Sequence, residues 1–266
     1  MKLLCPICGE TLDRIEKQYR CGNGHSFDLA RQGYVNLLPV QQKRSLNPGD
    51  TREQVLGRRA FLETGCYEPI SNTLNEIAKE LGATGPILDV GCGEGYYSAR
   101  LAEALGAELT GLDISKEAVR CAAAKYKGPQ WLCGTAAHLP VESGSAGVVT
   151  SLFALTMAEE FKRVLRPDGY FFQVLAAEDH LLGLKSIIYP ELKFKEKNTV
   201  PEVPGFELVK SVPIRFTFTV EGEQVQNLLG MTPHVFRITK EGAARLAATE
   251  KLTDTASAVL NVYRVV

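Results

Sequence analysis

Short apolar strands alternate with helical segments from residue 86 onward, and this alternation constrains the fold more than any other feature of the sequence. Strands separated by helices at this spacing form right-handed β–α–β units, which build a parallel sheet. Two further β-prone runs, 214–220 and 258–266, are expected to close the sheet. The pattern predicts an α/β fold with strands at 86–90, 108–113, 130–133, 147–152 and 170–176, and helices over 51–64, 68–81, 95–105, 115–125, 157–165 and 222–230.

The first strand of this series runs directly into a glycine-rich loop, ILDVGCGEGYYS, at 87–98. Glycines here permit close approach of the backbone to a ligand at the N-terminus of the following helix. Such a loop alone is a weak signal, and dinucleotide binding is the alternative. However, Asp89 precedes the loop and Glu94 lies within it, and negative charge is unfavourable beside a pyrophosphate. A ligand that carries an ammonium and a sulfonium group suits the loop better. Its glycines are Gly91, Gly93 and Gly95.

The second strand ends in Leu112-Asp113-Ile114, about 20 residues after the loop, where an acidic side chain can accept both ribose hydroxyls. The segment GTAAHLP follows the third strand at 134–140. Together these features resemble class I, Rossmann-like methyltransferases, in which 89–95 would be the first motif and Asp113 the ribose acid. The resemblance implies S-adenosylmethionine as cofactor. It also implies that adenine lies beside Ile114, Ala136 and Leu139.

The N-terminus contains a second motif, C-x2-C-x12-C-x3-H. Zinc prefers four tetrahedral sulfur and nitrogen ligands in structural sites, and two such knuckles joined by a short hairpin form a zinc ribbon. A lone C-x2-C could be a redox pair, but the second knuckle favours metal. The predicted Zn²⁺ is structural and folds a segment that has too few apolar residues for its own core. Its predicted ligands are Cys5, Cys8, Cys21 and His25.

Charge is distributed unevenly along the 266 residues, although the net charge is only −1. Residues 1–60 carry ten basic and six acidic side chains, whereas the rest of the chain is acidic. A basic N-terminal region indicates an anionic partner, or simply a solvated surface. Neither a membrane-spanning apolar run nor a signal peptide is recognisable, so a cytoplasmic protein without membrane partners is expected. The basic residues are Lys2, Arg14, Lys17, Arg20, Arg31, Lys43, Arg44, Arg52, Arg58 and Arg59.

Nearly the whole chain resembles the bacterial large-subunit ribosomal RNA guanine-N1-methyltransferases. By that resemblance the zinc ligands are those named above, and Tyr67, Gly95, Tyr96 and His180 contact the cofactor. The substrate would be a guanine in the hairpin-35 loop, a class of target whose unstacked bases can be splayed into a pocket. The matching segments are CPICGETL (5–12), FDLARQGYVNLLPVQQKRSLNPGD (27–50), RRAFLETGCYEP (58–69), LKSIIYPE (184–191) and LLGMTP (228–233).

The chain departs from the family pattern after the fourth strand. The family has an aromatic residue, alanine and proline there, and this chain has Phe153-Ala154-Leu155. Phe153 is the candidate for contact with the target base. A catalytic base cannot be named, because His138 is expected beside adenine and His180 beside the cofactor. A second departure, Pro167-Asp168-Gly169 in place of Pro-Gly-Gly, is tolerated by a turn.

The sequence predicts three parts: a zinc ribbon at 1–35, a linker and helix at 36–66, and a methyltransferase domain at 67–266. Two other functions stay open. One is a small-molecule methyltransferase with a zinc appendage, disfavoured by the basic N-terminal region and by GYVNLLP at 33–39. The other is a non-catalytic zinc-ribbon RNA-binding protein with a relic cofactor fold, disfavoured by intact Asp89, Glu94 and Asp113. A homodimer would suit a hairpin-binding cleft.

Overall fold

The computed structural model describes residues 1–39, 41, 48–192 and 196–266. Lys43 and Arg44, two of the basic residues noted above, lie outside the described residues, as does the middle of the predicted linker. Among the described residues, no helix combines the length and apolar character needed to cross a membrane.

The N-terminal segment folds into a small antiparallel sheet of four strands in the order β1-β2-β3-β4. Successive strands pair as neighbours, so the segment is a meander around the two cysteine knuckles. This arrangement confirms the predicted ribbon. The strands are β1 (Leu3–Leu4), β2 (Thr11–Ile15), β3 (Gln18–Cys21) and β4 (Ser26–Asp28).

The remaining strands form one eight-stranded sheet in the order β11-β12-β10-β9-β6-β7-β8-β5. Strands β5 to β10 pair in parallel, and β12 pairs antiparallel with both β10 and β11. The predicted class I α/β fold is therefore confirmed. The strands are β5 (Tyr34–Asn36), β6 (Ile87–Val90), β7 (Leu109–Asp113), β8 (Gln130–Cys133), β9 (Ala146–Leu152), β10 (Leu165–Ala176), β11 (Phe206–Glu221) and β12 (Lys251–Val265).

Most helices pack with the sheet in one hydrophobic cluster, whereas the helix Ala158–Val164 shares a second cluster with the ribbon. Local signals explain where several helices begin. Thr51 forms a capping box with Gln54, and Ser115 caps its helix through the backbone N–H of Ala118. A 3-10 turn, Pro233–Phe236, follows α7. The helices are α1 (Arg52–Glu63), α2 (Glu68–Glu80), α3 (Tyr96–Leu105), α4 (Lys116–Lys125), α5 (Ala158–Val164), α6 (Leu182–Ile188), α7 (Glu223–Gly230) and α8 (Lys240–Ala247).

The C-terminal third departs most from the sequence prediction. Strands β11 and β12 pair along almost their whole lengths and form a long hairpin, whereas the predicted strands covered only half of each. The first half of β12, KLTDTAS, alternates exposed and buried residues and so has too few consecutive apolar residues to stand out. Helices α6 and α8 were not predicted, because seven and eight residues are too short to show a helical period.

The ribbon is joined to the large sheet by more than its connecting chain. Backbone N–H of Leu4 donates to the carbonyl of Pro140 over 2.9 Å, and Leu3 forms an antiparallel bridge with Val141. Strand β5 then pairs in parallel with β8 at the sheet edge. The predicted boundary after residue 35 therefore runs through a strand of the large sheet, and GYVNLLP is the segment that attaches the ribbon to it.

Candidate metal centre and cofactor cleft

The four predicted zinc ligands come together at one end of the small sheet. Their ligand atoms all lie within 4.8 Å of one another. Nδ1 of His25 is 3.6 Å from Sγ of Cys5 and 3.4 Å from Sγ of Cys21, and Sγ of Cys8 is 3.7 Å from Sγ of Cys21. A tetrahedron with zinc–sulfur bonds of about 2.3 Å has sulfur–sulfur edges of about 3.8 Å. The donor set and its spacing therefore fit Zn²⁺.

Local hydrogen bonds hold each knuckle in the ligating conformation. The N–H of Gly9 donates to the carbonyl of Cys5, and the N–H of Cys21 donates to the carbonyl of His25. The side chain of Asn23 and the backbone at Glu10 lower the pKa of Cys8 to about 6, which favours the thiolate that zinc requires. Four protein ligands leave no position for water, so the site is structural.

A large cleft lies at the carboxyl ends of strands β6, β7, β9 and β10 and has a volume of about 1850 Å³. Open parallel sheets bind their ligands at this edge. Pockets for a single small molecule measure roughly 300–1,000 Å³, so the cleft has room for a cofactor and for part of a second molecule.

Eight of the twelve predicted cofactor residues line this cleft, and the other four lie behind its wall. The eight come from segments far apart in the sequence, and the fold brings them to one cleft. Those that line it are Tyr67, Gly91, Gly93, Glu94, Asp113, Ile114, Ala136 and His180. Those that the structure places outside the lining are Asp89, Gly95, Tyr96 and Leu139.

The glycine-rich loop bends sharply between β6 and α3. Gly91 has a φ of 85°, and a Cβ at this position would lie 2.6 Å from Cβ of Ala154. Gly95 has a φ of 86°, and its Cβ would lie 2.7 Å from the Trp131 ring. Both backbones therefore require glycine. Gly91 opens space in the cleft, whereas Gly95 lets α3 pack close to β8.

Asp113 stands at the end of β7 with its carboxylate at the cleft surface. It accepts hydrogen bonds from the N–H of Gly93 over 2.9 Å and from the N–H of Ser115 over 2.8 Å. Burial raises the pKa of Asp113, and these two N–H groups oppose that rise. The carboxylate is thus fixed in position, while its remaining lone pairs can accept ribose hydroxyls.

Asp89 has a different environment from the one that the sequence suggested. It is buried beneath the cleft, where it accepts hydrogen bonds from Ser98 and, over 2.6 Å, from Thr150. Burial raises its pKa to about 6. Asp89 therefore ties β6 to α3 and β9, and it supports the loop from below.

The side chains of His180 and Tyr67 both line the cleft and contact each other. Nδ1 of His180 accepts the N–H of Ser257 over 3.1 Å, and its Nε2 lies 3.4 Å from the Tyr67 hydroxyl. Burial, reinforced by the charge of Lys185, lowers the pKa of His180 to about 4. The ring is therefore neutral at pH 7 with both nitrogens engaged, which makes it a poor catalytic base and a good fixed donor.

Phe153 projects from the end of β9 in a strained conformation. Its φ is 55°, a left-handed value that bulky residues rarely adopt. Its side chain is 41% exposed, and that of Leu155 is 78% exposed. Strain of this kind is found at ligand-binding sites, where the surrounding structure holds it in place. Both side chains line the cleft, in the region where the target base was expected.

Some cleft residues were missed by the sequence analysis. Pro48, Gly49 and Asp50 fold back over the cofactor end, where the Ser115 hydroxyl donates to the carbonyl of Asp50 over 2.8 Å. Arg58 pairs with the Asp50 carboxylate and lines the same wall. The capping box at Thr51 marks where α1 begins, but no local signal shows that the preceding turn crosses Ser115.

Comparison with known proteins supports both parts of the structure. Residues 3–46 match the zinc-ribbon family described as "RlmA, N-terminal", and residues 88–173 match a methyltransferase domain. Among solved structures, one from Anaeromyxobacter dehalogenans described as a type II methyltransferase shares the fold, with a TM-score of 0.50 and 19% identity over 71% of this chain and 95% of that one. The protein is thus a class I, S-adenosylmethionine-dependent methyltransferase with an N-terminal zinc ribbon.

Curated relatives identify the family within this class of methyltransferases. The 23S rRNA (guanine(748)-N(1))-methyltransferase of Streptomyces fradiae is 32% identical, with 92% of this chain and 90% of the relative covered. A Micromonospora griseorubida protein described as a 23S rRNA (guanine-N(1)-)-methyltransferase is 32% identical, with 98% of this chain and 97% of the relative covered. The chain belongs to the 23S ribosomal RNA (guanine-N1)-methyltransferase family. By contrast, the demethylmenaquinone methyltransferase of Chlorobaculum tepidum matches only 45% of the chain.

Proposed function

We propose that this protein transfers the methyl group of S-adenosylmethionine to N1 of a guanine in the hairpin-35 loop of 23S ribosomal RNA. The observation that carries the proposal is the extent of the cleft. It continues from Asp113 past Phe153 to a second half lined by Lys185, Lys197 and Arg237. A small methyl acceptor would not need this additional, positively charged length. The family relationship over the whole chain, ribbon included, supports the same substrate class.

The cleft suggests how the cofactor is held. Asp113 would accept the ribose hydroxyls, and Ile114 and Ala136 would flank adenine. The glycine loop, with Glu94, would approach the amino-acid end of the cofactor, which lies toward Tyr67 and His180. Asp89, Gly95, Tyr96 and Leu139 would act from behind the wall by fixing the loop and the adjacent strands.

Methyl transfer needs alignment of the nucleophile, the methyl group and the leaving sulfur. S-adenosylmethionine supplies the electrophilic methyl group. Phe153, held at the end of β9, would stack on the guanine and set the position of N1. The N1 proton would leave to water, because both nitrogens of His180 are already engaged. The protein then contributes mainly orientation and exclusion of bulk solvent.

The ribbon would provide part of the RNA-binding surface. Its basic side chains are exposed, as RNA backbone contacts require. We retain the three-part division at 1–35, 36–66 and 67–266 as a functional one, although β5 crosses the first boundary. A homodimer that presents two ribbons to one hairpin, and a cytoplasmic location, are part of the same proposal. The ribbon residues concerned are Arg14, Lys17, Arg20 and Arg31.

The test uses large-subunit RNA from cells that lack this modification, with labelled S-adenosylmethionine. We expect label in the RNA, and mass spectrometry of nuclease fragments should find 1-methylguanine in the hairpin-35 loop. Label in a small metabolite instead would favour a small-molecule methyltransferase. Cofactor binding without any transfer would favour an RNA-binding protein with a relic fold. Methylation at another guanine would retain the activity and refute the proposed site.

A further inference from the structure

Three cations line the cleft beyond Phe153 without a carboxylate partner. Nζ of Lys185 donates to the carbonyl of Glu178 over 3.4 Å, and Nζ of Lys197 donates to the carbonyls of Ala177 and Ala176 over 3.2 and 3.5 Å. Neither these lysines nor Arg237 forms an ion pair with any carboxylate of the described residues. Positive charge gathered in a cleft and left unneutralised attracts an anionic ligand.

Acidic groups also lie near this cluster, but none of those in the described residues forms an ion pair with Lys185, Lys197 or Arg237. Glu178 and Glu191 also line the cleft. The Glu178 carboxylate accepts the backbone N–H of Lys197 over 2.9 Å. Asp254 is occupied by the N–H groups of Gly183 and Leu184, at the start of α6.

An exposed aromatic ring directly precedes Arg237 in the sequence, although it is not itself part of the cleft lining. Phe236 is 74% exposed and directly precedes Arg237 at the end of the 3-10 turn. The turn is anchored, because Nδ1 of His234 lies 2.8 Å from the Tyr189 hydroxyl and the Thr232 side chain accepts the N–H of His234. An anchored turn that leaves a large ring in solvent gives up burial that folding would otherwise favour. Such a ring is a platform on which a base can stack.

The position of the cluster relates it to the methyl acceptor. Nζ of Lys197 lies at the carboxyl end of β10, where it contacts the carbonyls of Ala176 and Ala177. Phe153 lies at the end of β9, the parallel neighbour of β10. Both side chains line the same cleft, so a ligand on Lys197 would share it with a base stacked on Phe153.

We propose that Lys185, Lys197, Arg237 and Phe236 form a subsite for a nucleotide that neighbours the target guanine. The three cations bind its phosphodiester, and the Phe236 ring stacks on its base. The subsite deepens the proposed function and rests on it, because a single-stranded RNA loop presents a phosphodiester next to an unstacked base. Lys185, half-buried, binds nearest to the guanine, while the exposed Lys197 and Arg237 bind at the rim.

The phosphate contacts can be tested by salt dependence. Arg237→Gln and Lys185→Gln should each raise KM for the RNA about tenfold and reduce the slope of log KM against log salt by about 0.7, the value for one single-strand phosphate contact. Affinity for S-adenosylmethionine should stay within twofold. Lys251→Gln is the matched control, because that lysine is exposed, pairs with Glu221 and does not line the cleft. It should leave KM and the slope unchanged.

The stacking contact has its own test. Phe236→Leu keeps an apolar side chain but removes the ring, and should raise KM for the RNA about tenfold without altering the salt slope. Phe236→Tyr keeps an aromatic ring and should retain the wild-type KM for the RNA. Leu208→Ala, on an exposed residue of β11, is the matched control and should have no effect.

Several results would overturn the subsite. The cations would instead act on the guanine O6 if their substitution lowered kcat and shifted the pH–rate profile while KM and the salt slope stayed constant. Equal KM for Phe236→Leu and wild type would refute the stacking contact. If the wild-type protein methylated no RNA, the proposed function would fail. Fluorescence anisotropy with a labelled hairpin would then still test the subsite, and unchanged affinity in all three variants would refute it.

Discussion

The two halves of the cleft are built by different means. In the half that we propose for the cofactor, a glycine loop and a strand-end carboxylate line the cleft, and backbone hydrogen bonds hold them in place. In the half that we propose for the substrate, the cationic side chains of Lys185, Lys197 and Arg237 come from a short helix and from loops of the C-terminal third. The first half is therefore shaped mainly by the backbone. The second presents unpaired positive charge on long side chains, which suits recognition of a polyanion.

The largest effect should come from the carboxylate that organises the cofactor half. Asp113→Ala removes the acceptor of both ribose hydroxyls and frees the N–H groups of Gly93 and Ser115. Hydrogen bonds to a charged group contribute about 1.5–3 kcal/mol each. The dissociation constant for S-adenosylmethionine should therefore rise about 100-fold or more in calorimetric titration, while affinity for the RNA hairpin changes little. A comparable loss of RNA affinity would show that the two halves are not independent.

The next largest effect should follow from loss of the metal. Cys8→Ser removes one of four zinc ligands, and zinc release should be visible by elemental analysis. We expect kcat/KM for the RNA to fall about 30-fold, since the ribbon presents its basic side chains only when folded. None of residues 1–39 lines the cleft. Cofactor affinity should therefore stay within about twofold.

The junction between ribbon and sheet sharpens this experiment. Because Leu3 and Leu4 bond to the β8–β9 connection, unfolding of the ribbon could disturb the cofactor wall through Ala136. Leu3→Ala, which retains all four zinc ligands, is the control that weakens the junction alone. Equal loss of cofactor affinity in Cys8→Ser and Leu3→Ala, with zinc kept in the latter, would contradict the picture of two separable modules.

The difference between the two halves of the cleft also explains which site residues the sequence could predict. Ligand-binding groups in the cofactor half follow from local rules: apolar strand, glycine turn, helix N-terminus and an acid at the next strand end. The ribbon follows from ligand spacing. The substrate half depends on long-range packing instead. Lys185 lies on a seven-residue helix without a helical period, and Arg237 follows a turn that contacts Tyr189, far away in the sequence, through His234. Asp89 shows the limit of such local rules, since the motif marks the position but not that its side chain is buried and bonded to Ser98 and Thr150.

His180 lies where the halves meet, and its titration gives a pH-dependent prediction. Its pKa falls from 6.5 to about 4 on folding, so between these values the unfolded chain binds more protons and stability decreases as pH falls. His180→Gln keeps an acceptor for the N–H of Ser257 and does not titrate. Between pH 7 and pH 5, the wild type should lose about 2 kcal/mol more of its free energy of unfolding than the variant. Equal losses in urea titrations of both proteins would show that the ring is already exposed to solvent.

The smallest effect should come from Leu155, which lines the cleft near Phe153 at a position where the family has proline. Leu155 is exposed, and its carbonyl accepts the Ser151 hydroxyl, a bond that a proline can keep. Proline would fix φ near −65° and hold Ala154 extended. If Phe153 alone sets the base position, Leu155→Pro should change kcat by less than about threefold and leave the methylated guanine unchanged. A tenfold gain would mean that Leu155 loosens the pocket. A new methylation position would assign the choice of nucleotide to this turn, rather than to the cations beyond it.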